Sequence, residues 1–269
     1  MHPEVDAVPG TILALISYFP SLHDLQLFFT SIYRLYMESY REYREVLESY
    51  ERNPHIALIY AALDNHAGPM REMIELKADI EVRDASGRTA LMVASVQGHL
   101  ECLQVLIENK ANIEAKDPSR LTALMFVAIE GKGAALQLLI DFKAKIEAED
   151  GSGVTALIAA SNQGHYECAR VLIQVKANLE AKGRTGFTSL IMSASEGHAA
   201  CTNLLIQAKA NHAARQQNGY TALIFAAKAG NTECVQALID GKANLEAREN
   251  NGVTALLWAV NRGKLGCVR

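Results

Sequence analysis

The residue types that could do chemistry in this 269-residue chain are five cysteines, a set of histidines and scattered glycines. Cys102, Cys168, Cys201, Cys234 and Cys267 could ligate a soft metal or pair as disulfides. No two of them stand as Cys-x-x-Cys, the spacing a structural zinc site needs. His99-Leu100-Glu101 and His165-Tyr166-Glu167 carry the H-x-E half of a zinc site that activates water, but the Pro-Cys-x-x-Cys half is absent. No glycine run has the form G-x-x-x-x-G-K-[ST] or G-x-G-x-x-G, so no phosphate cradle is encoded. The Ser, His and Asp side chains available for nucleophilic catalysis all belong to a repeated framework, and repeated positions build scaffold. These residues predict a non-enzymatic chain without cofactor, metal or small-molecule substrate.

The elements that would position them follow from internal repetition. Thr89-Ala90-Leu91 recurs as Thr122-Ala123-Leu124, Thr155-Ala156-Leu157, Thr188-Ser189-Leu190, Thr221-Ala222-Leu223 and Thr254-Ala255-Leu256, at steps of 33 residues. Ile56-Ala57-Leu58 is a degenerate copy one step upstream. In each unit the Thr hydroxyl can cap a short helix with a small-residue face. A Gly then permits reversal, and Cys102, Leu103, Leu106 and Ile107 set the spacing of a second helix. Asn112, Asp117 and Pro118 supply turn residues for a projecting loop. Neither helix can bury its apolar face alone, so the units must stack. Stacked neighbours lie roughly 8–10 Å apart, beyond the roughly 7 Å between Cα atoms that a disulfide spans. The cysteines, all in one register of the second helix, are therefore expected to be free, buried thiols.

This period and order resemble the ankyrin repeat, whose pattern is T-P-L-H-x-A-A-x-x-G-H followed by L-L-x-x-G-A-D. The resemblance covers residues 54–269 and implies an all-α solenoid of 33-residue helix-turn-helix plus loop units: 54–86, 87–119, 120–152, 153–185, 186–218, 219–251 and an incomplete 252–269. Three departures matter. Ala replaces the pattern's Pro at little cost, being the best helix former. Met92, Met125, Ile158, Ile191, Ile224 and Leu257 replace its His, exchanging a Thr–His polar link for apolar packing. Lys77, Lys110, Lys143, Lys176, Lys209 and Lys242 replace the Gly that ends the second helix. Left-handed backbone there would cost each Lys on the order of 1 kcal/mol. Glu81, Glu114, Glu147, Glu180 and Glu246 follow four residues later, an arrangement that predicts an exposed Lys–Glu charge ladder.

Function in such an array belongs to exposed positions that vary between units. The residue before each capping Thr varies (Arg88, Leu121, Val154, Phe187, Tyr220, Val253), and so does the end of the first helix (Val96, Ile129, Asn162, Ser195, Lys228, Asn261). Arg88, Val96, Leu121, Ile129, Val154, Phe187, Tyr220 and Lys228 are the candidate partner-binding residues of a concave face, with Phe187 next to Tyr220 as an anchor. Packing of these tips on neighbouring hairpins is the alternative. Tyr60, Val93, Phe126, Met192, Phe225 and Trp258 read foremost as core between units, and Arg83, Lys116, Lys182, Arg215 and Arg248 as a basic column hinting at an acidic partner.

Composition separates a head from this body. The chain holds 26 basic and 30 acidic residues, net −4. Residues 1–52 carry 4 Arg, no Lys and 8 acids, so 53–269 balances at 22 against 22. That lacks the basic footprint nucleic acid demands. No stretch approaches the roughly 20 apolar residues of a membrane span, and the acids in residues 1–6 do not suit a secretory leader. The expected location is cytoplasmic, the nucleus remaining open. In the head, Thr11 to Phe19 forms a short apolar helix stopped by Pro20, and Ser21 caps a second with Leu25, Phe28, Ile32, Leu35 and Tyr36 on one face.

The order Val8-Pro9, Ile12-Leu13, Ile16, Tyr18-Phe19-Pro20, Asp24-Leu25 and Thr30 to Tyr36 resembles an F-box. It departs by Val for the opening Leu and by lacking a Trp near the end. The resemblance implies that Pro9, Ile12, Leu13, Ile16, Phe19, Pro20 and Leu25 dock on a Skp-family adaptor of a cullin–RING ubiquitin ligase, with the repeats holding a substrate protein. The other reading is a helical cap that hides the first unit's apolar flank. The last unit stops at Arg269, midway through a helix. That predicts either a fragment or a flank covered by a partner or a second copy.

Overall fold

The computed structural model describes residues 54–268. The head residues Pro9, Ile12, Leu13, Ile16, Phe19, Pro20 and Leu25 lie outside the described residues, and the chain divides into two units at Asn53 and Pro54. The array consists of helix pairs: α1 (Pro54–Leu63) with α2 (Ala67–Glu75), α3 (Ala90–Gln97) with α4 (Leu100–Glu108), α5 (Ala123–Ile129) with α6 (Gly133–Asp141), and α7 (Ala156–Gln163) with α8 (Tyr166–Gln174). It continues through α9 (Ser189–Glu196) with α10 (Ala199–Gln207), α11 (Ala222–Ala229) with α12 (Thr232–Asp240), and α13 (Ala255–Asn261) with α14 (Leu265–Val268). First helices pack on first helices and second on second, as an all-helical repeat solenoid requires. No helix among the described residues is long and apolar enough to cross a membrane.

Local chemistry sets each boundary. The Thr89 hydroxyl accepts the Met92 amide at 3.4 Å, and Thr122, Thr155, Thr188, Thr221 and Thr254 accept the equivalent amide at 3.4–3.5 Å. Each satisfies one orphan donor of the first turn. Gly98, Gly164, Gly197 and Gly230 end their helices in left-handed backbone. At Gly131 and Gly164 a second constraint applies, because a Cβ would come within 2.5 and 2.4 Å of Nδ1 of His165 and His198 in the next unit.

Those histidines stitch the stack. Nε2 of His99, His165 and His198 lies 3.1, 2.8 and 2.9 Å from the carbonyls of Leu63, Ile129 and Asn162, at the first-helix end of the preceding unit. Asn231 takes over this task, donating to the Ala194 and Ser195 carbonyls. Loop tips are joined as well: the amides of Gly151, Arg184, Gln217 and Asn250 donate to Ser119, Ser152, Thr185 and Asn218 of the tip before.

The six lysines that stand where the repeat pattern has Gly all adopt left-handed backbone, with φ between 63° and 69°. Around each, two bonds close the helix: Lys143 and Ala144, for example, donate to Ile140 and Leu139. This double closure satisfies the last carbonyls and holds a residue with a Cβ in a conformation that Gly adopts freely.

One expectation about charge is corrected here, and a second gains a structural side. The glutamates form no ladder with these lysines. Instead Glu81, Glu114, Glu147 and Glu180 each accept the backbone amide of a residue one unit on, namely Asn112, Lys145, Asn178 and Asn211, at 2.7–2.8 Å. A fixed amide near a carboxylate costs less ordering than a mobile lysine does, so the amide wins. The basic column is likewise largely structural. Arg83, Lys116 and Arg215 donate to the carbonyls of Lys116, Glu149 and Arg248, one unit along, and Arg248 donates to Gly252 within its own loop.

Stacking, rather than helix formation, does the burying. Leu223 and Ile224 are 2% and 0% exposed, whereas Leu256 and Leu257, the same positions in the last described unit, are 55% and 48% exposed. Burial of one such side chain is worth about 1.5–3 kcal/mol, so each seam supplies most of what holds its two units. The left-handed lysines leave a gain available. Lys143→Gly and Lys176→Gly are each expected to stabilise the array by about 0.5–1 kcal/mol, read as a higher urea midpoint, whereas Lys145→Gly, outside the left-handed position, is expected to lower it.

Candidate functional site

The repeated loops that precede each first helix bring the variable residues to one edge of the stack. Each loop closes on itself, the amides of Asp84, Asp117, Asp150, Gly183, Gln216 and Glu249 donating to the carbonyls of Arg88, Leu121, Val154, Phe187, Tyr220 and Val253. In four of them an acid reinforces the turn: the carboxylates of Asp84, Asp117, Asp150 and Glu249 accept the amide four residues on. The side chain before each capping Thr is consequently held half-buried.

These positions diverge in what they offer. Arg88 is engaged at home, its guanidinium 2.8 Å from the Asp84 carboxylate. Burial raises the Asp84 carboxyl, but hydrogen bonds from the Arg88 amide and guanidinium outweigh it and leave the group below its ordinary range. Val96, Leu121, Ile129 and Val154 are half-buried along the earlier units, and the Ile129 carbonyl is taken by His165.

Phe187, Tyr220 and Lys228 do come together, through residues of the first helices. Phe225 on α11 has ring centroids 5.2 Å from Phe187 and 4.9 Å from Tyr220, and Trp258 on α13 lies 5.9 Å from Tyr220. Lys228 Nζ sits 4.9 Å from the Tyr220 centroid and 4.6 Å from that of Trp258, and the Arg262 guanidinium is 5.6 Å from Trp258. Such tilted ring pairs and cations over ring faces are attractive contacts of about 0.5–2 kcal/mol each. Beside them is an open concavity of about 520 Å³ lined by Ser195, Phe225, Lys228, Ala229, Arg262 and Lys264.

Sequence reading placed Phe225 and Trp258 foremost in the core between units and did not single out Arg262 or Lys264 for this face. The column they belong to is split. Val93 is buried, Tyr60 is exposed, and Phe126, Met192, Phe225 and Trp258 are half-buried. A signal was present: Phe225 and Trp258 stand four residues after their capping Thr and Lys228 seven after, so one helical face carries both the ring and the cation.

The thiols and the histidines of the H-x-E motifs belong to the framework of the stack. Cys102, Cys168, Cys201 and Cys234 are free and buried, but Cys267 is only half-buried, which departs from the expectation of five buried thiols. Burial pushes the thiols of Cys102, Cys168 and Cys201 up to about 11, aided by Glu101, Glu167 and Cys234 respectively. Burial also raises Cys234, against a hydrogen bond from Thr202. The histidines of both H-x-E motifs turn Nε2 to a backbone carbonyl, and Glu167 pairs with Arg170 at 2.7 Å. Among the described residues no three metal-ligating side chains form a cluster.

Comparison with known proteins agrees with this architecture. A family model of ankyrin repeats matches in three copies, over residues 35–117, 113–183 and 190–269. The ankyrin repeat domain of Bcl-3, described as a unique member of the IkappaB protein family, superposes with a TM-score of 0.68 at 22% identity, covering 75% of this chain and 92% of that one. The human ASB11 ankyrin repeat domain does so with a TM-score of 0.69 at 24% identity, covering 77% of this chain and 95% of that one. A search of curated proteins finds no match.

The thiols yield a graded prediction. In the native protein at pH 8 a disulfide reagent is expected to modify Cys267 rapidly and Cys102, Cys168, Cys201 and Cys234 only after denaturation, read by mass spectrometry. Because Cys102, Cys168 and Cys201 are pushed up to about 11 in the fold from 9.0 in the unfolded chain, the folded state holds more protons in that window. Stability should therefore fall as pH rises from about 9 toward about 11. Cys168→Ala is expected to lessen that slope.

Proposed function

This chain belongs to the ankyrin-repeat family, a family of protein-binding modules, and from that premise we propose that it is a non-enzymatic scaffold whose partner sits against the aromatic cluster of Phe187, Tyr220, Phe225 and Trp258. The single observation that carries the reading is this cluster. Half-exposed rings from three successive units make an anchor larger than any one unit could supply, and buried aromatic anchors dominate binding energy at protein interfaces. The seam chemistry supports the non-enzymatic part, since His99, His165 and His198, together with Glu81, Glu114, Glu147 and Glu180, are already bonded across the stack.

The finer reading concerns the head. An F-box-like order of Pro9, Ile12, Leu13, Ile16, Phe19, Pro20 and Leu25 supports docking on a Skp-family adaptor, which would make the chain a substrate receptor of a cullin–RING ubiquitin ligase working in the cytoplasm or nucleus. The partner on the array is then the protein to be ubiquitinated. A second reading, in which the head only caps the stack, is favoured by one observation: the ankyrin family match begins at residue 35, inside the head.

One set of binding measurements on the full chain separates them. Under the receptor reading purified Skp-family adaptor binds, and Pro9→Ala with Ile16→Asp abolishes the binding while helical circular dichroism is unchanged. Under the cap reading the adaptor does not bind, and deleting residues 1–52 lowers the melting temperature sharply. For the array, Phe187→Ala with Tyr220→Ala is expected to weaken partner binding by at least about tenfold without loss of fold.

A further inference from the structure

We infer that the partner segment held by the C-terminal half of the array is acidic: an extended stretch of a protein in which Asp or Glu side chains alternate with an aliphatic or aromatic residue. The inference rests on the protein-binding reading above and specifies its chemistry.

Three cations border the concavity beside the aromatic cluster, Lys228, Arg262 and Lys264, and no carboxylate lines it. Among the described residues none of the three meets an acid within ion-pair distance, the two pairs present being Arg88–Asp84 and Arg170–Glu167. One acid, Glu249, acts electrostatically on Tyr220. Its carboxylate is buried and spent on the amides of Asn251 and Val253 in its own loop. The cationic charge of this face is thus uncompensated by its surroundings, although residues 53–269 as a whole are balanced.

The cations are also pre-ordered. Lys228 lies over the rings of Tyr220 and Trp258, and Arg262 over Trp258. A lysine held on a ring face has already lost much of the rotamer freedom that forming an ion pair would otherwise take from it. The same rings present apolar surface between the charges, so one partner segment meets both at once. The charges run along the stack, Lys228 in unit 219–251 and Arg262 with Lys264 in unit 252–269. A row of carboxylates suits cations contributed by successive units beside one set of rings. Lys264 lies over Gly230 as Lys132 lies over Gly98, whereas His165, His198 and Asn231 lie over Gly131, Gly164 and Gly197. At these two seams an amine replaces the ring or amide.

Trp258 is the sole tryptophan of the chain, so its emission reports on this face alone. The test pans a displayed random dodecapeptide library on the full chain and measures the selected peptides, made synthetically, by Trp258 fluorescence and by anisotropy of the labelled peptide. The expected result is that peptides perturbing Trp258 are enriched in Asp and Glu interspersed with apolar residues. Their affinity should fall about tenfold or more with added salt. It should fall at least as much in Lys228→Glu with Arg262→Glu, a variant checked for fold by circular dichroism, and stay unchanged in Arg71→Glu at the other end of the stack. Neutral or basic peptides that perturb Trp258 equally would overturn the acidic inference while leaving partner binding at the cluster standing. So would a phosphoserine peptide with neutral flanks binding tighter than its Asp counterparts. Selected peptides that bind without touching Trp258 emission, and indifferently to Phe187→Ala with Tyr220→Ala, would overturn both.

Discussion

The seam between consecutive units is the constraint on which everything else in this molecule depends. One helix pair of this chain cannot close a core: the same two positions are nearly inaccessible at Leu223 and Ile224 and half-exposed at Leu256 and Leu257. What differs is whether another unit stacks on them. Hydrophobic burial drives that stacking but has no direction of its own. The direction comes from polar bonds that recur along the stack, imidazole to carbonyl, loop amide to carbonyl and carboxylate to amide. Together they hold neighbouring units in one register.

That requirement gives many reactive residue types a structural task. A histidine whose Nε2 is held by a carbonyl of the unit before it is a rivet. A glutamate accepting the amide of the next unit is another, and a thiol pushed up to about 11 by burial is a small apolar filler. The chain also tolerates local strain to keep the pattern. Six lysines occupy left-handed backbone, and the double hydrogen bond at each helix end offsets a conformation that Gly would adopt freely.

Function is left with the positions that the seam does not use. The residue before each Thr and the outer turn of each first helix are free to vary, and in the C-terminal half that freedom is filled with rings and cations. Phe187, Tyr220, Phe225 and Trp258 come from three units, so the cluster exists only because stacking places residues about 33 apart side by side. The packing that rigidifies the array is thus also what assembles this cluster.

Much of this was legible in the amino-acid sequence, and for one reason: spacing dictates local hydrogen bonds. The 33-residue step, the Thr caps, the helix pairs and the positions of the left-handed lysines all follow from bonds made within a few residues. The free state of the thiols follows from their register. Tertiary structure decided the partners of long side chains, because such groups choose among competitors that only folding brings within reach. Glu147 faces Lys143 four residues back in sequence, yet it takes the amide of Asn178, which stacking presents in fixed position. Arg83 and Lys116 each meet a carbonyl that only the stack places before them. Phe225 and Trp258 read as core because their helical register is apolar. In the stack they are half-buried and meet Phe187 and Tyr220 from the neighbouring loops, which only folding brings within reach.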